Sequence, residues 1–186
     1  MISLEIEIVK WLQQNRFISL DPYWIFISEY TTVFNLLIVA LSVFLYTKKK
    51  NDINLYGFSG LYLGLFIAQA LLSWAIKNLV NRIRPFQFDG TIEKLSSGGS
   101  PSFPSGHTME TFAIIVFFWL IFPKQPFKWI LVIWALAVSY SRMVLGVHYL
   151  SDVIGAAILG SLMATLFYLF YKKLYAKKAL QSGFSL

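Results

Sequence analysis

Five long apolar runs set the limits on what this chain can fold into: about Tyr23–Tyr46, Leu55–Ile76, Thr108–Phe122, Trp129–Val147 and Val153–Tyr171. Most of them reach the roughly 20 residues a helix needs to cross the hydrocarbon core of a bilayer. Backbone in lipid must satisfy its own hydrogen bonds, and helices do so within one segment. The expected fold is therefore all-α: a polytopic membrane helix bundle of five transmembrane helices plus an N-terminal interfacial helix, six helices in all. Charged residues make up 13% of the 186 positions, against about 25% in an ordinary soluble domain. Residues 1–186 are read as a single integral membrane domain. The third run is short, so its start is expected to sit below the membrane surface.

Met1–Leu20 lacks the basic start, uninterrupted apolar core and small-residue cleavage site of a secretory signal. On a helical wheel Glu7, Lys10 and Gln14 fall on one side and Leu4, Ile8, Trp11 and Leu12 on another, so the segment is read as an anchor lying on the bilayer surface. Sorting the cations by side gives the orientation. Lys48, Lys49, Lys50, Lys124, Lys128, Lys172, Lys173, Lys177 and Lys178 share one side, which the positive-inside rule makes cytoplasmic. Lys10, Arg16, Lys77, Arg82, Arg84, Lys94 and Arg142 fall on the other and gather near two outer loops, so they serve something besides orientation. The net charge of +7 is thus a topology signal, and no nucleic-acid partner is expected. With no cysteine, the chain has neither a disulfide framework nor a thiolate metal site.

Ionisable side chains are costly at membrane depth, so polar clusters between apolar runs mark candidate sites. Three converge on the outer side. The first is Lys77 with Arg84 and Pro85, the second Pro104-Ser105-Gly106-His107, and the third runs from Ser141 to Asp152. Phosphoryl transfer uses this inventory, because it proceeds mainly by positioning and by cationic stabilisation of equatorial oxygens. Arginine forks match phosphate, and a helix opening after Pro104-Ser105-Gly106 would aim amide groups at an anion. A histidine attacks phosphorus when a carboxylate fixes its tautomer, and Asp152 lies four residues after His148. Asp152 is equally placed to cap the fifth helix with Ser151. His107 would then protonate the leaving oxygen, and because His148 must be neutral to attack while His107 must be protonated to donate, a bell-shaped pH profile is expected.

The remaining polar positions carry open readings. The Phe86–Phe103 loop holds Gly90, Ser96, Ser97, Gly98, Gly99, Ser100 and Pro101, and is either a flexible rim for substrate or a plain surface linker. Glu110 either tunes His107 or hydrogen-bonds a neighbouring helix, the reading favoured for Glu29, Asn35 and Gln69 as well. Arg82 is read as facing lipid headgroups.

Lys77, six residues, Arg84-Pro85; then Pro104-Ser105-Gly106-His107; then Ser141-Arg142, five residues, His148, three residues, Asp152: in this order the groups resemble the three-part signature of the type 2 phosphatidic acid phosphatase superfamily. The resemblance implies an integral membrane lipid phosphatase acting on a phosphomonoester or diphosphate headgroup, such as lipid A 1-phosphate, polyprenyl diphosphate or phosphatidylglycerol phosphate. It implies a phosphohistidine on His148, oriented by Asp152, with His107 as general acid. Lys77, Arg84 and Arg142 would hold the phosphate, with Ser105 and Gly106 as further donors. No metal or other cofactor is implied. The partner is a phosphorylated membrane lipid in the bilayer, and the site faces the periplasm from a bacterial inner membrane. A lipid-to-lipid phosphotransferase using the same site, or a non-catalytic lipid-binding protein, are the alternatives.

Overall fold

The computed structural model describes the backbone of residues 2–48, 55–99 and 101–181, and the side chains of all of these except 2 and 175–181. Lys49, Lys50 and Ser100 lie outside the described residues, as do the side chains of Lys177 and Lys178. The described residues form α1 (Ile2–Gln14), a 3-10 turn (Ile18–Leu20), α2 (Asp21–Glu29), α3 (Thr31–Lys48), α4 (Leu55–Val80), α5 (Pro85–Phe88), α6 (Gly106–Ile121), α7 (Lys128–Val144) and α8 (Leu150–Gln181). The all-α expectation holds, but the count of six helices does not.

Two local causes account for the extra helices. The first apolar run breaks at Tyr30, where Thr31 Oγ1 donates to the carbonyls of Ile27 at 2.7 Å and Ser28 at 3.1 Å. Such back-bonding competes with the helical ladder and bends the chain. The second cause is Pro85, which opens the four-residue α5 after an extended Arg84 and biases the preceding residue away from helix.

Among the described residues three stretches are long and apolar enough to cross a membrane: α3, the Leu55–Phe88 stretch that contains α4, and Leu150–Leu174 of α8. Helix α6 has 16 residues and α7 has 17, about 24 and 26 Å of rise against a core of about 30 Å. Beyond its polar first turns helix α6 is apolar all round because it is the centre of the bundle, with α3, α4, α7 and α8 all packed on it.

The α6–α8 contact is the most extensive in the molecule, and small residues make it possible. Ala156, Gly160 and Ala164 recur every fourth position on α8, and both alanines are fully buried, the small-residue spacing that lets helix backbones approach. A Cβ on Gly160 would lie 2.4 Å from the Met109 carbonyl oxygen and 3.1 Å from the Ala113 amide. Neither is a side chain that can swing away. Gly160→Leu is therefore expected to destabilise the fold by more than the about 1–3 kcal/mol usual for overpacking. The measurement is the thermal transition of the purified detergent complex; an unchanged midpoint would contradict the close approach.

Helix α1 differs from a simple surface anchor. It turns the Glu5-Val9-Gln13 stripe, with Ile6 beside it, toward the outer loops, where Ile6 and Val9 join Ile92 and Tyr149 in a small second core. The Gln13 amide donates to the carbonyls of Glu93 at 2.8 Å and Val144 at 3.2 Å, and its oxygen accepts from the Glu93 amide at 2.9 Å. Lys10 pairs with Asp89 at 2.6 Å, and Arg16 with Asp21 at 3.0 Å and Glu93 at 2.6 Å. Leu4 and Trp11, which the wheel placed on the apolar side, remain 66% and 62% exposed.

Candidate active site

Two left-handed turns bring the outer-side residues together. At the end of α4, Asn81 takes φ 45° and its amide donates to the Lys77 carbonyl at 2.9 Å. This ends the helix and reverses the chain, a conformation asparagine tolerates. Arg82 and Arg84 then lie beside the start of α8. At the end of α7, Gly146 takes φ 76°. A Cβ there would lie 2.3 Å from the Glu93 carbonyl oxygen, so glycine is required both by the dihedral and by the neighbour. The amides of Val147 and His148 both fold back onto the Arg142 carbonyl at 3.2 Å, which aims the His148 ring inward.

His148 is 2% exposed. Its Nδ1 lies 3.4 Å from Asp152 Oδ2, and its Nε2 lies 3.3 Å from Arg84 Nη1. A guanidinium only donates and a carboxylate only accepts. The imidazole is consequently the neutral tautomer with its proton on Nδ1 and its lone pair on Nε2, the atom facing the cations. Burial, above all, pushes the His148 imidazole down to about 3, the charges of Arg142 and Arg84 add to the shift, and Asp152 opposes it. A depressed value means the ring stays neutral as the pH falls well below the ordinary value of about 6.5. Nitrogen NMR of histidine-labelled protein in lipid nanodiscs is expected to show His148 unprotonated at pH 5; a midpoint in the ordinary histidine range would contradict this geometry. The His148 limb of the expected bell-shaped profile is accordingly expected below the ordinary histidine range.

Asp152 is fully buried and saturated with donors. Its Oδ2 accepts from the Ser102 hydroxyl and, at 2.9 Å, from the Tyr149 amide, while Oδ1 accepts from Arg82 Nη1 at 2.6 Å. Tyr149 is the residue before α8, so Asp152 fills the reciprocal half of a capping box as well as facing His148. Both sequence readings of Asp152 describe the same carboxylate.

The phosphate-binding candidates are held by the outer loop. Lys77 Nζ donates to the Pro101 carbonyl at 2.7 Å. Arg84 Nη1 donates to the Val147 carbonyl at 2.8 Å, and a Cβ on Gly98 would meet that same Nη1 at 2.9 Å. Arg142 donates through Nη1 to the hydroxyls of Ser28 and Ser96, and through Nη2 to the Ser97 carbonyl at 3.0 Å. Its Nε is buried without a hydrogen-bond partner, an uncompensated donor of the kind that calls for a ligand or water. Ser96, Ser97, Gly98, Pro101 and Ser102 of the Phe86–Phe103 loop thus wall these side chains.

Ser105 precedes α6, and no side chain caps that helix. The Ser105 amide donates to the Asp152 carbonyl at 3.2 Å and its hydroxyl pairs with Thr108 at 3.0 Å, which ties the α6 start to α8. Gly106 and His107 form the first turn, whose amides suit an anion. His107 is within electrostatic reach of Arg142, Lys77 and Arg84. All eight predicted residues therefore share one end of α4, α6, α7 and α8. Among the described residues no group of three or more His, Cys, Asp or Glu side chains forms a ligand set for a metal.

Arg82 is a correction. It does not face headgroups; besides Asp152 it binds Ser151 Oγ at 2.6 Å and Glu5 at 2.5 Å, and its guanidinium stacks 4.0 Å over the Tyr149 ring. Ser102, Ser28 and Ser96 were missed, since serines in a glycine-serine loop or an apolar run carry no sequence signal of their own. Glu110 takes the interhelical reading: Asn35 donates to it at 2.8 Å and Thr32 at 3.1 Å, which joins α6 to α3.

The helical bundle gathers a histidine, its carboxylate and three cations at one end, the inventory that phosphoryl transfer uses. The chain belongs to the PAP2 superfamily, whose family model matches residues 58–176. It is 28% identical over 166 residues to a lipid A 4'-phosphatase of Bacteroides thetaiotaomicron, covering 84% of this chain and 74% of the relative. It is 29% identical over 152 residues to an undecaprenyl-diphosphatase of Bacillus subtilis, covering 81% and 75%. The crystal structure of a transmembrane PAP2-type phosphatidylglycerolphosphate phosphatase from Bacillus subtilis superposes with a TM-score of 0.74 at 27% identity, covering 92% of this chain and 86% of that one.

Proposed function

We propose that the chain hydrolyses a phosphomonoester or diphosphate headgroup of a membrane lipid, at the outer face of a bacterial cytoplasmic membrane, through a phosphohistidine on His148. The observation that carries this reading is the His148 ring itself. Its Nε2 lone pair faces Arg84 at 3.3 Å and its Nδ1–H faces Asp152 at 3.4 Å, the arrangement a nucleophile needs before phosphorus arrives. In the first step the Nε2–P bond forms as the lipid O–P bond breaks, and His107 gives its proton to the leaving oxygen. Water then attacks phosphorus, the N–P bond breaks, and the water proton returns to His107. Arg142 Nε, the Lys77 ammonium, the Arg84 guanidinium, Ser105 and the Gly106 amide hold the phosphoryl oxygens.

Residues 1–186 act as one domain on this reading, with α3, α4, α6, α7 and α8 making five crossings. That puts Lys48, Lys124, Lys128, Lys172 and Lys173 on the cytoplasmic side and the site toward the periplasm. Polyprenyl diphosphate, lipid A 1-phosphate and phosphatidylglycerol phosphate are the substrates to test, and the names of the relatives support a phosphate on a large lipid. The test is phosphate release by purified protein from each lipid in the presence of a chelator. Release from at least one is expected; none from any, with no phosphoenzyme trapped, sinks the proposal.

A further inference from the structure

We propose that Arg82, held from behind by Glu5 of α1, is the positioning residue that fixes Asp152 against His148, so that the N-terminal helix is mechanically part of the catalytic site. The inference rests on the phosphatase reading above.

Four donors converge on the Asp152 carboxylate, and three of them reach Oδ2: the Ser102 hydroxyl, the Tyr149 amide and the His148 ring. Only Arg82 is hydrogen-bonded to Oδ1, and it is the only fixed cation in an ion pair with this fully buried carboxylate among the described residues. The His148 contact, at 3.4 Å, is longer than the 2.9 Å bond to Tyr149 and the 2.6 Å bond to Arg82. A small rotation of the carboxylate therefore breaks the catalytic contact first.

Arg82 in turn cannot move freely. Nη1 is shared between Asp152 and Ser151, Nη2 is bound to Glu5 Oε2, and the guanidinium plane rests on Tyr149. A planar fork can bridge two carboxylates and stack at once, which lysine cannot do. Glu5 completes the clamp by accepting the Ser151 amide in the first turn of α8 at 3.0 Å, where a negative charge also suits the helix dipole. One α1 carboxylate thus fixes both the cation behind Asp152 and the helix that carries Asp152. The exposed Leu4 and Trp11 leave the other side of α1 free for the bilayer interface.

The test uses the full chain in lipid nanodiscs, with steady-state phosphate release and nitrogen NMR of labelled histidine read in parallel. Arg82→Ala is expected to lower kcat on the order of 10–100-fold, by analogy with groups that orient a catalytic ligand from its far side, with KM changed less than about twofold because no substrate contact is lost. Arg82→Lys should recover part of the loss. Glu5→Gln should fall in the same direction by less, and adding it to Arg82→Ala should cost nothing further, since the glutamine oxygen still accepts the Ser151 amide and only the part of Glu5 that acts through Arg82 is lost. His148 should lose its single Nδ1–H tautomer in Arg82→Ala. Lys10→Gln removes the α1 ion pair to Asp89 without touching this line and should keep wild-type kcat. Full kcat in Arg82→Ala, a loss carried by KM, or an equal loss in Lys10→Gln each overturns the proposal. If Arg82→Ala does not fold, Arg82→Lys and Glu5→Gln decide by the same readouts. A wild-type protein that releases no phosphate from any lipid overturns the phosphatase reading instead, and the tautomer comparison still decides the clamp.

Discussion

His148→Ala is expected to lower phosphate release by at least about 10³-fold, the scale on which removing a covalent nucleophile acts. Alanine leaves no nucleophilic nitrogen at this buried position, which the turn at Gly146 aims from the backbone. Loss of the phosphoenzyme should accompany loss of turnover. Substrate should still bind, because Lys77, Arg84 and Arg142 keep their contacts with Pro101, Val147, Ser28, Ser96 and Ser97. The decisive pair of measurements is phosphoenzyme trapping and lipid binding on one preparation whose thermal transition matches wild type. A variant that still turns over and still traps phosphate would remove His148 from the mechanism. Retained binding with no chemistry separates the nucleophile from the cradle.

The crossings and the signature residues were readable in the sequence for different reasons. Lipid compels a long apolar run to be helical, so α3, α4 and α8 announce themselves. The site residues announce themselves through fixed spacing: His148 and Asp152 are four apart because α8 begins between them, and Arg142 precedes His148 by the length of a helix end and a glycine turn. What stayed hidden depended on partners distant in sequence. Nothing in the first apolar run separates Thr31 from its neighbours, yet its hydroxyl breaks the run in two. The docking stripe of α1 is mixed, with an acid and an amide among its members, and its partners lie in loops near residues 90 and 150; a wheel sorted by hydropathy finds the apolar side and passes over this stripe. Arg82 was misread because a cation at the outer edge of a span fits a headgroup as well as a carboxylate, and only the fold brings Glu5 and Asp152 to it. The serines around Arg142 and Asp152 are ordinary loop residues until the loop is seen folded over the site.

Asp152→Asn is expected to cost nearly as much as loss of the nucleophile, about 10³–10⁴-fold in kcat by analogy with the carboxylate of a serine-protease triad, with little change in KM. The substitution preserves shape and removes one thing, the ability to accept on both sides. Oδ2 accepts from Ser102, Tyr149 and His148, and Oδ1 accepts from Arg82. An asparagine amide has one accepting oxygen and one donating nitrogen. With the nitrogen toward Arg82, donor meets donor, and the guanidinium is left with Glu5 as its ion-pair partner among the described residues. With the nitrogen toward His148, the clash falls on Ser102 and the Tyr149 amide, and the ring is driven to the tautomer whose proton sits on Nε2, where the lone pair is needed. The first orientation keeps the His148 tautomer but costs the Arg82 bond, and the second keeps the Arg82 bond but loses the Nε2 lone pair. The charge is lost as well, and a phosphorylated imidazole carries positive charge that the carboxylate offsets. Phosphoenzyme formation in a single turnover is the measurement, since it reads the step in which Nε2 attacks. A variant that forms phosphoenzyme at the wild-type rate would reduce Asp152 to a helix cap and leave the orientation of His148 to the turn at Gly146 alone.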